Sequence, residues 1–206
     1  SGEGSLFFEG LASADNLDTI EVTGTGDLWL GSHQTFRSTW LTLTPNLSLV
    51  DASMALGDVN ATGIVPQTDG YVFLGGSGDD FARLGSAPFL NDDAQQSHRI
   101  EGGAGNDTVF VNDPEELDSS DSIFGGPGVD TLEFGRSVEF LEFGPIFTNF
   151  ESIETVQFSD ENDVVIPDTA AENSGIVNFM LGDGDDSFDG TAYTSDVLVS
   201  GDSGRT

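Results

Sequence analysis

Gly102-Gly103-Ala104-Gly105-Asn106-Asp107-Thr108-Val109-Phe110 has the form G-G-x-G-x-D-x-U-x, where U is a large aliphatic residue. A second full copy is Gly125-Gly126-Pro127-Gly128-Val129-Asp130-Thr131-Leu132-Glu133. Nearly complete copies begin at Gly75 (Gly75-Gly76-Ser77-Gly78-Asp79-Asp80) and at Leu181 (Leu181-Gly182-Asp183-Gly184-Asp185-Asp186-Ser187-Phe188). A degenerate copy, Phe158 to Ile166, keeps Asp163 at position six and Val165 at position eight. The starts fall at 75, 102 and 125, in steps of 27 and 23, and the step from 158 to 181 is again 23. Tandem nonapeptides would make a tight roll. Steps of this length instead suit one acidic turn per rung of a solenoid, with further strands closing each rung. Such rungs cannot bury their apolar faces alone and must stack.

The 206 residues carry 37 carboxylates against five cations, all Arg, for a formal charge of −32. Composition this acidic ordinarily implies disorder. Here regularly spaced apolar residues and 16 Phe oppose that default. Self-repulsion still opposes compaction, and divalent cations would relieve it. Nucleic acid is excluded as a partner, because phosphate contacts need Lys and Arg. With no Cys, disulfides and thiol catalysis are excluded. No apolar run reaches the length of a membrane span.

Residues 1–70 hold nine carboxylates and residues 71–206 hold 28. The expected organisation is therefore a less acidic set of N-terminal β rungs over 1–70, with Asp18 and Asp27 at position six of weak copies. A more acidic solenoid carrying the nonapeptides, continuous with it, is expected over 71–206, the part for which the resemblance given below implies calcium binding. Short β-branched runs bounded by turn formers predict strands at Leu17–Val22, Thr39–Thr44, Thr108–Val111 and Asp163–Ile166. Asp113-Pro114-Glu115-Glu116-Leu117 predicts one turn of helix. The Phe-rich stretch Phe134–Phe158 reads as aromatic packing in a longer rung. The terminal segments Ser1–Ser5 and Ser200–Thr206 read as boundaries within a longer polypeptide.

Calcium takes six to eight oxygen ligands at about 2.3–2.6 Å. Glycines at positions one, two and four allow positive φ, so that carbonyls can line a turn. Asp at position six adds a short carboxylate, while the aliphatic at position eight points into the core. The nonapeptides resemble the calcium-binding repeats of RTX proteins. The resemblance implies an all-β fold, a right-handed parallel β-helix or β-roll solenoid with calcium-binding turns along one edge. It implies several Ca2+ ions held between stacked turns by Asp80, Asp107, Asp130, Asp186 and the degenerate Asp163. Carbonyls would come from Gly76, Gly78, Gly103, Gly105, Gly126, Gly128, Gly182 and Gly184, with Asp79, Asn106, Asp183 and Asp185 adding side chains. Val129 has no ligating group, so its turn departs from the pattern. The resemblance further implies type I secretion of an unfolded bacterial exoprotein, which folds on meeting extracellular calcium and serves as a scaffold, spacer or surface segment.

Catalytic signatures are missing. His33 and His98 form no H-E-x-x-H, and no G-x-S-x-G is present. Gly201-Asp202-Ser203-Gly204 resembles a serine-protease phrase, but only Arg205 and Thr206 follow it in this sequence, and no protease site is expected from it. His98-Arg99 beside Glu101 reads as a surface cluster. Trp29, Trp40, Tyr71 and Tyr193 suit strand cores better than sugar stacking. The sequence thus predicts a non-enzymatic module. The competing expectation is a carbohydrate-active β-helix, a polysaccharide lyase, epimerase or glycan-binding accessory module, with extracellular polysaccharide as its partner.

Overall fold

The computed structural model describes residues 6–8, 17–30, 46–64, 70–84, 97–136, 141–142 and 146–201. The predicted strand Thr39–Thr44, with Trp40, and the residues Phe140 and Phe143 lie outside these. Nearly all of the regular structure is parallel β, stacked as a solenoid. A long sheet runs through nine strands: Leu6–Phe8, Leu28–Leu30, Val59–Asn60, Phe81–Leu84, Thr108–Val111, Thr131–Phe134, Thr155–Gln157, Asn178–Met180 and Leu198–Ser200. A middle sheet has six: Thr19–Gly24, Leu49–Ala55, Val72–Leu74, Arg99–Glu101, Ser122–Phe124 and Phe150–Glu151. A short sheet has three: Leu141–Glu142, Val164–Ile166 and Ser187–Phe188.

The repeat length and the strand register agree. Thr108 pairs with Phe81 of the preceding repeat and with Thr131 of the following one, which reproduces the two sequence steps. Phe81–Leu84, Thr108–Val111 and Thr131–Phe134 alternate inward and outward side chains, so one residue in two enters the core. In-register stacking turns these into columns. Val50, Phe73, Ile100, Ile123 and Phe150 form one along the middle sheet. Ala82, Val109, Leu132, Val156 and Phe179 form another along the long sheet. All ten are buried. The pairing of Leu49–Ala55 with Val72–Leu74 carries the stack without a break across residue 70.

Among the described residues, helix is confined to caps and connections. Pro114–Glu116 is one 3-10 turn where the Asp-Pro pair predicts it. The helix Thr169–Ser174 was not evident in the sequence. Asp168 caps its start by accepting from Ala170 N (2.8 Å), and Gly175 ends it in the left-handed region at φ 101°. It packs beside Phe147–Phe150 at the end of the middle sheet, where Ser174 Oγ donates to the Phe147 carbonyl (3.1 Å). The described Phe of the Phe-rich stretch pack as core: Phe147 meets Phe150 edge-on at 4.9 Å, and Phe134 stacks on Phe158 at 5.7 Å. No helix among the described residues is long and apolar enough to cross a membrane.

Ile123 is fully buried between Ile100 and Phe150. Truncation there leaves a cavity the stacked rungs cannot fill. Ile123→Ala is expected to lower stability by about 2–5 kcal/mol in urea unfolding. A loss below about 1 kcal/mol would contradict this packing.

Candidate metal centre

The acidic turns occupy two corners of the solenoid. Turns 75–80, 102–107 and 125–130 link the middle sheet to the long sheet and stack in register. Turns 158–163 and 181–186 link the long sheet to the short one. The expectation of a single edge is corrected accordingly: Asp163 and Asp186 stand apart from Asp80, Asp107 and Asp130. On the intervening rung the first corner shortens to Ser152–Glu154, because Glu151 pairs with Phe124 and Thr155 with Thr131. The repeat step measures rung length and does not report which corner a turn occupies.

Two ladders of side-chain hydrogen bonds run along the first corner in opposite senses. At position six each carboxylate reaches back one rung. Asp80 Oδ1 accepts from Val59 N (2.7 Å), Asp107 Oδ1 from Asp80 N (2.8 Å), and Asp130 Oδ1 from Asp107 N (2.8 Å). Glu154 Oε2 continues the series by accepting from Asp130 N (2.8 Å). At position five each side chain reaches forward. Asp27 Oδ1 accepts from Asp58 N (3.2 Å), Asp58 from Asp79 N (2.8 Å), Asp79 from Asn106 N (2.7 Å), and Asn106 from Val129 N (3.0 Å). The second corner repeats both ladders: Asp186 Oδ1 accepts from Asp163 N (2.9 Å), and Asn162 Oδ1 from Asp185 N (2.8 Å).

Asp58, Asn162 and Glu154 were not singled out in the sequence, and Asp27 was placed at position six. It stacks instead in the position-five column, since Leu28 pairs with Val59. A usable signal existed in Gly26-Asp27-Leu28 and Gly57-Asp58-Val59, each a Gly-Asp pair opening an alternating strand.

The glycines have two distinct reasons. Gly103, Gly126 and Gly182 at position two, and Gly105 and Gly184 at position four, adopt positive φ. Position one is glycine for room. A Cβ on Gly102 would collide with the Asp107 carboxylate and the Gly125 carbonyl, and one on Gly125 with the Asp130 carboxylate and the Ser152 carbonyl. Carbonyls of Gly76, Gly78, Gly103 and Gly105 fill the space that a Cβ would need on Gly103, Gly105, Gly126 and Gly128 of the next rung. Those oxygens therefore point along the solenoid axis. Ser159 and Glu161 stand in the same relation to Gly182 and Gly184.

Asp80, Asp107, Asp130 and Asp163 are buried, whereas Asp79, Asn106, Asp183 and Asp185 are exposed and Asp186 is half-buried. Asp80 uses both oxygens, Oδ2 accepting from Gly76 N (2.6 Å). Asp107 Oδ2 and Asp130 Oδ2 are buried without a hydrogen-bond partner. Burial pushes the Asp107 carboxyl up to about 7 and those of Asp80 and Asp130 to about 6, reinforced by neighbouring carboxylates and opposed by the ladder bonds. Among the described residues, Arg99 pairs with Glu101 and Arg136 with Asp113. Nowhere among them do three or more carboxylate or imidazole groups converge on a point where side chains alone could hold a metal ion. A cation here would depend on carbonyls for much of its shell.

The other constellations have structural roles. His98 is buried against the Tyr71 ring (6.3 Å), and its backbone N–H donates to Asp121 Oδ1 (2.9 Å), so the expected surface cluster reduces to Arg99 and Glu101. Tyr71 is wholly buried, and Tyr193 packs on Phe179 with its hydroxyl donating to the Ile176 carbonyl. No model of a known protein family, no curated protein and no solved structure matches the chain.

The pH dependence follows from the raised carboxyls. Their folded values lie above the ordinary 3.8, so the folded chain binds these protons more tightly than the unfolded one. That stabilisation is complete below about pH 4 and is lost as pH rises through 6 to 7. In EDTA the β spectrum should be more fully formed at pH 5 than at pH 8; the reverse order would contradict the assignment. Substitutions separate the ladder from the charge. At pH 5, where protonated carboxyls favour the fold without metal, Asp107→Ala leaves the buried Asp80 N–H unpaired and should cost about 1–3 kcal/mol in urea unfolding. Asp107→Asn keeps an acceptor and should cost less than half as much.

Proposed function

We propose that the chain is a calcium-binding, RTX-type structural module. The observation that carries this reading is the state of Asp107 and Asp130. Each holds one carboxylate oxygen buried and without a hydrogen bond, on the side of a backbone carbonyl of the next rung, that of Gly125 for Asp107 and that of Ser152 for Asp130. An unsatisfied buried oxygen costs about 1–3 kcal/mol, more when charged. A hard divalent cation supplies what these oxygens lack, and oxygen ligands of this kind suit calcium. Asp107 and Asp130, with Asp80 and the glycine carbonyls of the same corner, would hold it. Asp163 and Asp186 would serve the second corner. Bound calcium supplies positive charge that joins neighbouring rungs and offsets the −32 of the chain.

The role that follows is calcium-triggered folding. At low calcium, repulsion among the turns keeps the chain expanded, as passage through a type I exporter requires. At extracellular calcium the rungs stack and form a rigid scaffold, spacer or adhesive segment of a secreted bacterial protein.

Far-UV circular dichroism during calcium titration of EDTA-treated protein tests the proposal. Calcium is expected to restore a β spectrum from a largely disordered one, with magnesium much less effective. An unchanged β spectrum in EDTA would overturn calcium-dependent folding.

A further inference from the structure

The first corner does not stop at the last nonapeptide. Its turn on the next rung, Ser152–Glu154, has half the length of 125–130 and none of the repeat's glycines. Glu154 nevertheless takes the register position of a position-six Asp, since Thr155 pairs with Thr131. Its carboxylate also makes that position's bond, accepting from Asp130 N at 2.8 Å. The carbonyl of Ser152 occupies the place relative to Gly125 that the Gly125 carbonyl occupies relative to Gly102. Ser152 is the one non-glycine residue with positive φ (56°) among the described residues, so the backbone is turned sharply where this carbonyl sits.

Asp130 indicates that something else belongs here. It is 1% exposed, and its Oδ2 lies on the Ser152 side of Gly125 with no hydrogen-bond partner. Asp130 and Glu154 also repel each other, and neither of the described ion pairs reaches them.

We infer that Glu154 and the Ser152 carbonyl complete, with Asp130, a further divalent-cation site that closes the metal column of the first corner. This rests on the calcium reading above and extends it beyond the nonapeptides. Glutamate substitutes for the repeat's aspartate, and Ser152 for its glycine. The column ends at this rung. Asn178 pairs with Thr155, so the next place in the position-six series falls to Val177, which has no ligating side chain.

Calcium stoichiometry by isothermal titration, with terbium luminescence as a second readout, tests the site in Glu154→Gln. Glutamine keeps an oxygen for the Asp130 N–H, so the rung is retained. The variant is expected to bind one ion fewer than the wild type, whereas Glu151→Gln, on the exposed side of the same rung, binds the full number. Equal stoichiometry in Glu154→Gln, with ions lost in Asp107→Asn, would overturn this inference and leave the calcium reading intact. No binding by the wild type would overturn both. Hydrogen exchange on the wild-type chain gives an answer that depends on no variant. Calcium should slow exchange across 151–156 as well as across 102–107 and 125–130; slowing confined to the latter two segments would refute the role of Glu154.

Discussion

The fold depends on how its corners are closed. Parallel ladders satisfy the backbone along each strand, but they stop where the chain turns, and buried N–H groups there still need acceptors. Side chains supply them from one rung to the next. Position-six carboxylates reach back to the preceding rung, and position-five side chains reach forward to the following one. Because the two series run in opposite senses, each stacked turn is held from both sides. Stacking in register then aligns Ile100 with Ile123 and Val109 with Leu132, and the core follows from the corners.

This solution places carboxylates one above another at the spacing of a β ladder, about 4.8 Å. Like charges at that distance repel, and burial of Asp107 and Asp130 makes their ionised forms costlier still. The same oxygens that close the corner therefore prefer either a proton or a cation beside them. One arrangement serves two ends: Oδ1 of Asp107 and Asp130 closes the backbone, while their Oδ2 stays buried without a hydrogen-bond partner, and a cation of the kind proposed would give it one.

Much of this was legible in individual residues. Gly102 and Asp107 announced an acidic turn, Val109 announced the strand after it, and the spacing of the repeats gave the register between rungs. The cap Thr169–Ser174 was not legible, since so short a segment offers too little periodicity to distinguish a helix from a loop. Glu154 was hidden for a different reason: its turn has lost the glycines, and only its partner Asp130 shows what it does. His98 looked like a surface residue beside Arg99, but alternation along the strand sends one neighbour inward and the other out.

By itself the sequence determined the stacked parallel rungs, because a repeat with one inward aliphatic after each turn can bury that residue only against copies of itself. It also determined the chemistry available at the turns, which is set by residue type. The tertiary structure alone decided that the turns divide between two corners, that Asp27 belongs with Asp79 and not with Asp80, and that position-one glycines make room for a carboxylate. Those outcomes depend on which sheet a strand enters and which rung lies above it. Spacing along the chain carries neither, because rungs of equal length close equally well around either corner.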